Sequence, residues 1–108
     1  MKREVLVKYI TALFSNRYKH CMSWLRVHDG YSALGVLCDI AGKENIGEWK
    51  SYGNNQFYSY EGYTERIPLN VVNWSGMSDK SMDDILRLER KGATMEDIAV
   101  WLLESNKE

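Results

Sequence analysis

The sequence predicts an α+β fold, with about four to five helices packed around a buried central helix and a small antiparallel β-meander. Three observations point there. Apolar residues recur at helical spacing toward both ends of the chain, and an almost wholly apolar stretch, YSALGVLCDIAG, occupies residues 31–42. Between 48 and 67 the texture changes to tyrosine and tryptophan broken by glycine and asparagine, the mark of short strands and tight turns.

In chain order, Val5, Leu6, Tyr9, Ile10, Leu13 and Phe14 fall at three-and-four spacing, with Lys2, Arg3, Lys8 and Thr11 on the remaining positions. An amphipathic helix therefore opens the chain and stops near Ser15-Asn16. Trp24, Leu25 and Val27 favour a strand within 22–27, followed by a tight turn at Asp29-Gly30. Ser32 caps the next helix and Gly42 ends it in a left-handed turn. Along it Leu34, Leu37, Cys38 and Ala41 line one face while Ala33, Val36 and Ile40 line the neighbouring one, which leaves little circumference for water. Gly35, in its middle, costs roughly 1 kcal/mol against alanine, a cost that fits a second backbone pressed closely against it.

Residues 48–67 read as two or three antiparallel strands turning at Gly53-Asn54-Asn55 and at Glu61-Gly62. Pro68 opens a short helix through Leu69, Val72 and Trp74 that closes at Gly76. Ser81, with Asp84 three residues on, caps a helix running to Gly92, and Thr94, with Asp97 three residues on, caps the last one. Ala93 staples against Ile98, and the two helices form a hairpin on the central helix through Met82, Ile85, Leu86, Leu88, Ile98, Ala99, Trp101, Leu102 and Leu103.

A chain of 108 residues supports one domain, 1–108, and is too short for two independent cores. The net charge of −1 removes the electrostatic basis on which nucleic-acid binding normally begins. Charge is nevertheless uneven: residues 1–28 carry +5, while 29–78 and 79–108 carry −3 each. A basic end and an acidic end either face each other or present a patch to an anionic partner. No run approaches the roughly 18 apolar residues of a membrane span, and charges interrupt the first 14 positions, so a cytoplasmic setting without membrane contact is expected. Two cysteines, Cys21 and Cys38, fit reduced thiols rather than a disulfide framework.

Read together, Ala12-Leu13 with Tyr18, Leu25-Arg26, Leu34-Gly35-Val36-Leu37-Cys38-Asp39, Ile67-Pro68 with Val71, Trp74 and Gly76, and Leu88 with Gly92, Ile98 and Ala99 resemble a family of small bacteriophage and prophage proteins. The resemblance spans nearly the whole chain, and its Leu-Gly-Val-Leu-Cys-Asp motif is its most specific part. Two departures stand out: the family's paired cysteines fall on Ser32-Ala33, and its asparagine-aspartate pair falls on Glu89-Arg90. What the resemblance implies is a phage origin and a bacterial host cytoplasm, not a reaction.

No catalytic, metal or cofactor set is expected from the residues. His20, Cys21, His28 and Cys38 lack the short paired spacing of zinc sites. Cysteine nucleophilic chemistry would need a neighbour that stabilises the thiolate, and Asp39 beside Cys38 does the reverse. Asp83, Asp84, Glu96 and Asp97 occupy first turns of helices, where capping and the helix dipole explain them. No glycine-rich phosphate loop is present.

The aromatic stretch is the best candidate site, because tyrosine and tryptophan bring large area at low rotamer cost. Trp49, Tyr52, Tyr58, Tyr60 and Tyr63, with Phe57 among them and Lys50 and Arg66 nearby, are more rings than one strand face can bury. The expected function is therefore binding of a host or defence-system protein by a non-catalytic phage protein. The alternative is a nucleotide or other small ligand stacked on tyrosines, its phosphates held by Arg17, Lys19 or Arg26.

Overall fold

Helix-period patterning at both ends of the chain becomes helix, and the aromatic middle becomes sheet. The structure, a computed structural model, describes residues 1–106. Among these, the helices are α1 (Arg3–Phe14), α2 (Ala33–Lys43), α3 (Leu69–Ser75), α4 (Asp79–Arg90) and α5 (Met95–Ser105). The strands are β1 (Arg26–Val27), β2 (Gly30–Tyr31), β3 (Trp49–Tyr52) and β4 (Phe57–Tyr60), which makes the fold α+β. No helix among the described residues is long and apolar enough to cross a membrane.

α1 buries Val5, Tyr9 and Leu13, one helical stripe, and ends as foreseen where Asn16 takes a left-handed φ of 61°. α2 buries Ala33 through Cys38 and Ala41 and packs against α1, α3, α4 and β2. Its N-terminus is tied twice. Ser32 Oγ accepts from Gly35 N at 3.1 Å, and the buried Glu89 of α4 reaches across to accept from Ala33 N at 3.0 Å. A carboxylate at a helix N-terminus satisfies an otherwise orphaned donor and meets the positive end of the dipole. The same carboxylate lies 2.6 Å from His20 Nε2, while the buried Tyr9 hydroxyl donates to Ala33 O at 2.6 Å.

The close approach expected at Gly35 is present: a Cβ there would lie 1.7 Å from the carbonyl oxygen of Leu25. Gly42 corrects the expectation. It is not a left-handed terminus but lies inside α2, whose cap is Glu44, with Asn45 taking the positive φ of 63°. Small size is what the position uses, since the Tyr60 hydroxyl sits 3.3 Å from where a Cβ would be.

The sheet is two hairpins joined through their inner strands, in the order β2-β1-β4-β3, all antiparallel, rather than a meander in sequence order. The strand expected over 22–27 shrinks to Arg26–Val27 because Ser23 adopts a φ of 69°, which breaks extension before Trp24. Both foreseen turns are present, with positive φ at Gly53, Asn54 and Asn55 and again at Glu61 and Gly62.

α3 begins after Pro68 and closes at Gly76, whose φ is 73°. It buries Val71 and Ser75 and leaves Leu69 exposed. The cap of α4 is Ser78, not Ser81: Ser78 is extended and its Oγ accepts from Ser81 N at 3.1 Å, which places Ser81 inside the first turn. The Thr94–Asp97 capping box of α5 forms as expected. α4 lies on α2, but α5 docks chiefly on α1, so the last two helices do not share one support. That docking places α1, with Arg3 and Lys8 against Glu4, beside α5, with Glu96, Asp97 and Glu104, within a single molecule.

Candidate functional site

Pairing register decides which aromatic rings face the helices. Arg26 pairs with Tyr31 on one side and Tyr58 on the other, and Tyr58 pairs with Ser51, so these side chains share one face of the sheet. Two residues along, Trp49 and Tyr60 pair on the same face. This inner face meets α2. Trp49 Nε1 donates to Asp39 Oδ1 at 3.2 Å, the Tyr18 hydroxyl donates to Asp39 Oδ2 at 2.7 Å, and the Tyr60 hydroxyl donates to Ile46 O. Burial, with the Asp39 hydrogen bond second, pushes the Tyr18 hydroxyl well above its ordinary pKa.

Arg26 lies inside this layer. Its guanidinium carbon is 3.9 Å from the Tyr58 ring centroid, 5.0 Å from that of Tyr31 and 5.5 Å from that of Trp49. Aromatic faces thus take the place of water around the cation. Its Nε is buried without an acceptor among the described residues.

The opposite face carries a second group. Tyr52 pairs with Phe57, Phe57 with Val27, and Trp24 folds over them from the segment before β1. Ring centroids are 4.9 Å apart for Trp24–Phe57, 6.3 Å for Trp24–Tyr52 and 6.5 Å for Tyr52–Phe57. Trp24 is fixed by its Nε1, which donates to Tyr58 O at 2.9 Å. Phe57 and Tyr52 nonetheless stay 41% and 42% exposed. Lys50, across from Ser59 in the register, is exposed beside Tyr52. β3 ends the strand order, and its outer edge pairs with no strand among the described residues.

The residues singled out in the sequence therefore divide. Tyr52 and Lys50 are exposed on the outer side of the hairpin. Trp49 and Tyr58 are half-buried on the inner face, and Tyr60 is fully buried. Tyr63 is 47% exposed and bridges Tyr60 across the Glu61-Gly62 turn. Arg66 is drawn to α4, where its Nη1 donates to Asp83 at 2.7 Å. Among the basic residues considered for phosphate, Lys19 pairs with Asp29 at 3.1 Å, Arg26 is enclosed by rings, and Arg17 is exposed. The residue that sequence reasoning missed at this surface is Trp24, which lies 33 positions from Phe57 and meets it only through the Arg26–Tyr58 pairing.

Both thiols sit where the thiolate is disfavoured. Burial, helped by Asp39, raises Cys38 far above its ordinary range, and burial pushes Cys21 up to about 11. The nucleophilic form of cysteine is the thiolate, so neither environment activates it. Cys21 Sγ donates to Trp24 O at 3.3 Å. No group of three or more His, Cys, Asp or Glu that could hold a metal ion occurs among the described residues.

One family model, Domain of unknown function (DUF8296), matches residues 1–105. No curated protein and no solved structure matches the chain.

Proposed function

The chain belongs to the DUF8296 family, whose description names no activity, and we propose that it is a small non-catalytic protein that binds a bacterial host or defence-system protein. The contact surface is the outer face of the β3–β4 hairpin together with the uncovered edge of β3. What carries this reading is the Trp24–Phe57–Tyr52 ladder, in which three rings hold one another in place while two of them remain about two-fifths exposed. Rigid aromatic side chains that need no further ordering are the groups that dominate binding energy at protein interfaces. An edge strand beside them adds main-chain donors and acceptors for strand addition by an extended partner segment. Lys50 and Tyr63 flank the surface, while Trp49, Tyr58 and Tyr60 support it from beneath, with α2 as the central helix on which they rest.

The phage origin and the host-cytoplasm setting rest on the motif resemblance centred on Leu34–Asp39. Thiols held in their protonated form support a binding role over cysteine catalysis.

The test is affinity capture from bacterial lysate with the native chain and with a Tyr52→Ser, Phe57→Ser double variant. A stoichiometric partner is expected with the native chain. Its affinity for the variant should fall at least about 30-fold, the equivalent of losing one hot spot of about 2 kcal/mol. Because each side chain is only about two-fifths exposed, the variant loses some stability as well, and capture is compared at a temperature where circular dichroism shows both proteins folded. Equal capture by both proteins, or no partner at all, overturns the proposal.

A further inference from the structure

Beside the buried stripe of α1, a groove of about 310 Å³ runs between α1 and α2 and is lined also by the segment that follows α1. Val7, Ala12 and Ile40 give it apolar lining, and Tyr18, from the segment after α1, adds a ring. The Asp39 hydrogen bond and an edge contact with Tyr31, at 4.9 Å between centroids, fix that ring. Lys8, Arg17 and Lys43 line it as well, and no carboxylate among the described residues does.

Lys8 and Lys43 hold Glu44 and Asp39 at 2.7 and 3.5 Å, through side chains that are more than half exposed. Water weakens such exposed pairs, so both ammonium groups can turn toward a new anion. Arg17 has no carboxylate within ion-pair distance among the described residues. Its guanidinium is planar, permanently charged and suited to two-point contact with phosphate.

We propose that this groove is a binding site for a small organic phosphomonoester with a flat apolar body, of mononucleotide size. Arg17 is the cation without a carboxylate partner among the described residues, and once Lys8 and Lys43 exchange their exposed pairs with Glu44 and Asp39, three cations meet the near-dianionic charge of a phosphomonoester at neutral pH better than the single charge of a carboxylate. Val7, Ala12, Ile40 and the fixed Tyr18 ring would take the planar body. The volume lies at the lower end of the roughly 300–1,000 Å³ range of small-molecule sites, which admits one nucleotide and not two. This site is separate from the hairpin surface, and neither proposal depends on the other.

The experiment is amide-resolved NMR titration of the full chain with the four nucleoside 5′-monophosphates, adenosine and inorganic phosphate at fixed ionic strength. At least one monophosphate should bind saturably, with shifts concentrated in α1, residues 15–18 and the second half of α2. Adenosine alone and phosphate alone should each bind at least tenfold more weakly. Arg17→Glu, at an exposed position, should weaken monophosphate binding at least tenfold while the rest of the spectrum is retained. Leu69→Ser, at a 68% exposed position of α3 that does not line the groove, should leave it unchanged. No saturable binding by any monophosphate, or native affinity in Arg17→Glu, overturns the proposal.

Discussion

At the scale of single residues, two glycines in one helix do opposite work. A Cβ on Gly35 would meet backbone: the Leu25 oxygen at 1.7 Å and its carbonyl carbon at 2.7 Å. Neither atom can rotate away, and Leu25 O already accepts from Ser32 N at 3.0 Å where the chain enters the helix. Alanine there must push α2 off the segment before β1. Overpacking of this kind costs about 3 kcal/mol or more. At Gly42 the nearest atom to a Cβ is the Tyr60 hydroxyl at 3.3 Å, the far end of a side chain. Alanine there gains about 1 kcal/mol of helix propensity and gives part of it back in that contact. Urea unfolding should therefore find Gly35→Ala severely destabilised and Gly42→Ala within about 1 kcal/mol of the native chain. Equal midpoints for the two variants would refute the close-approach argument.

At the scale of elements, the caps decide where helices start, and the segment Ser78-Asp79-Lys80-Ser81 offers two candidates. Ser78→Ala removes the acceptor for Ser81 N and should cost about 1 kcal/mol. Ser81→Ala loses only an exposed hydroxyl contact of 3.1 Å with Ser78 and should lie within about 0.5 kcal/mol of native. Thermal unfolding of the two variants separates the assignments, and a larger loss at Ser81 would restore the later start. The same contrast explains what could be read in advance. α1 and α2 were legible from the period of their apolar residues, although Gly42 did not end α2, and α5 because its period and its Thr94–Asp97 cap agree within one segment. The serine pair was not, since both positions satisfy the local rule and only backbone conformation distinguishes them. β1 and β2 are two residues each and carry no alternation to read. The outer aromatic surface depends on β1 meeting β4 across some 30 residues, so Phe57 and Tyr52 were visible as rings but Trp24 could not be placed beside them. Likewise the apolar stripe of α5 announces burial without naming α1 as the helix that covers it.

At the scale of the whole molecule, burial of phenols and thiols sets an alkaline limit to stability. Tyr9, Tyr18, Tyr31 and Tyr60 all have hydroxyls raised above the ordinary phenol range, in each case chiefly by burial. Cys38 is raised in the same way, and Cys21 to about 11. In the unfolded chain these groups release their protons from about pH 8.5 for thiols and about pH 10 for phenols. Above those values the folded state binds more protons than the unfolded one, so unfolding free energy falls as pH rises. The contribution is therefore complete below about pH 8 and is lost progressively from about pH 9 upward. Urea midpoints measured from pH 7 to 11 should stay level at first and then decline. Tyr9→Phe provides the internal check: it deletes the hydroxyl that donates to Ala33 O, costing about 1 kcal/mol at neutral pH, and removes one of the groups that drives the decline. Its alkaline limb should be shallower than that of the native chain. Because the same six groups line the junctions of α1, α2 and the sheet, phenolate absorbance from Tyr9 and Tyr60 should appear only together with loss of the helical circular-dichroism signal. A midpoint that stays level to pH 11, or phenolate absorbance from all of the tyrosines while the helices persist, would show that these rings are not held in the dry junctions described here.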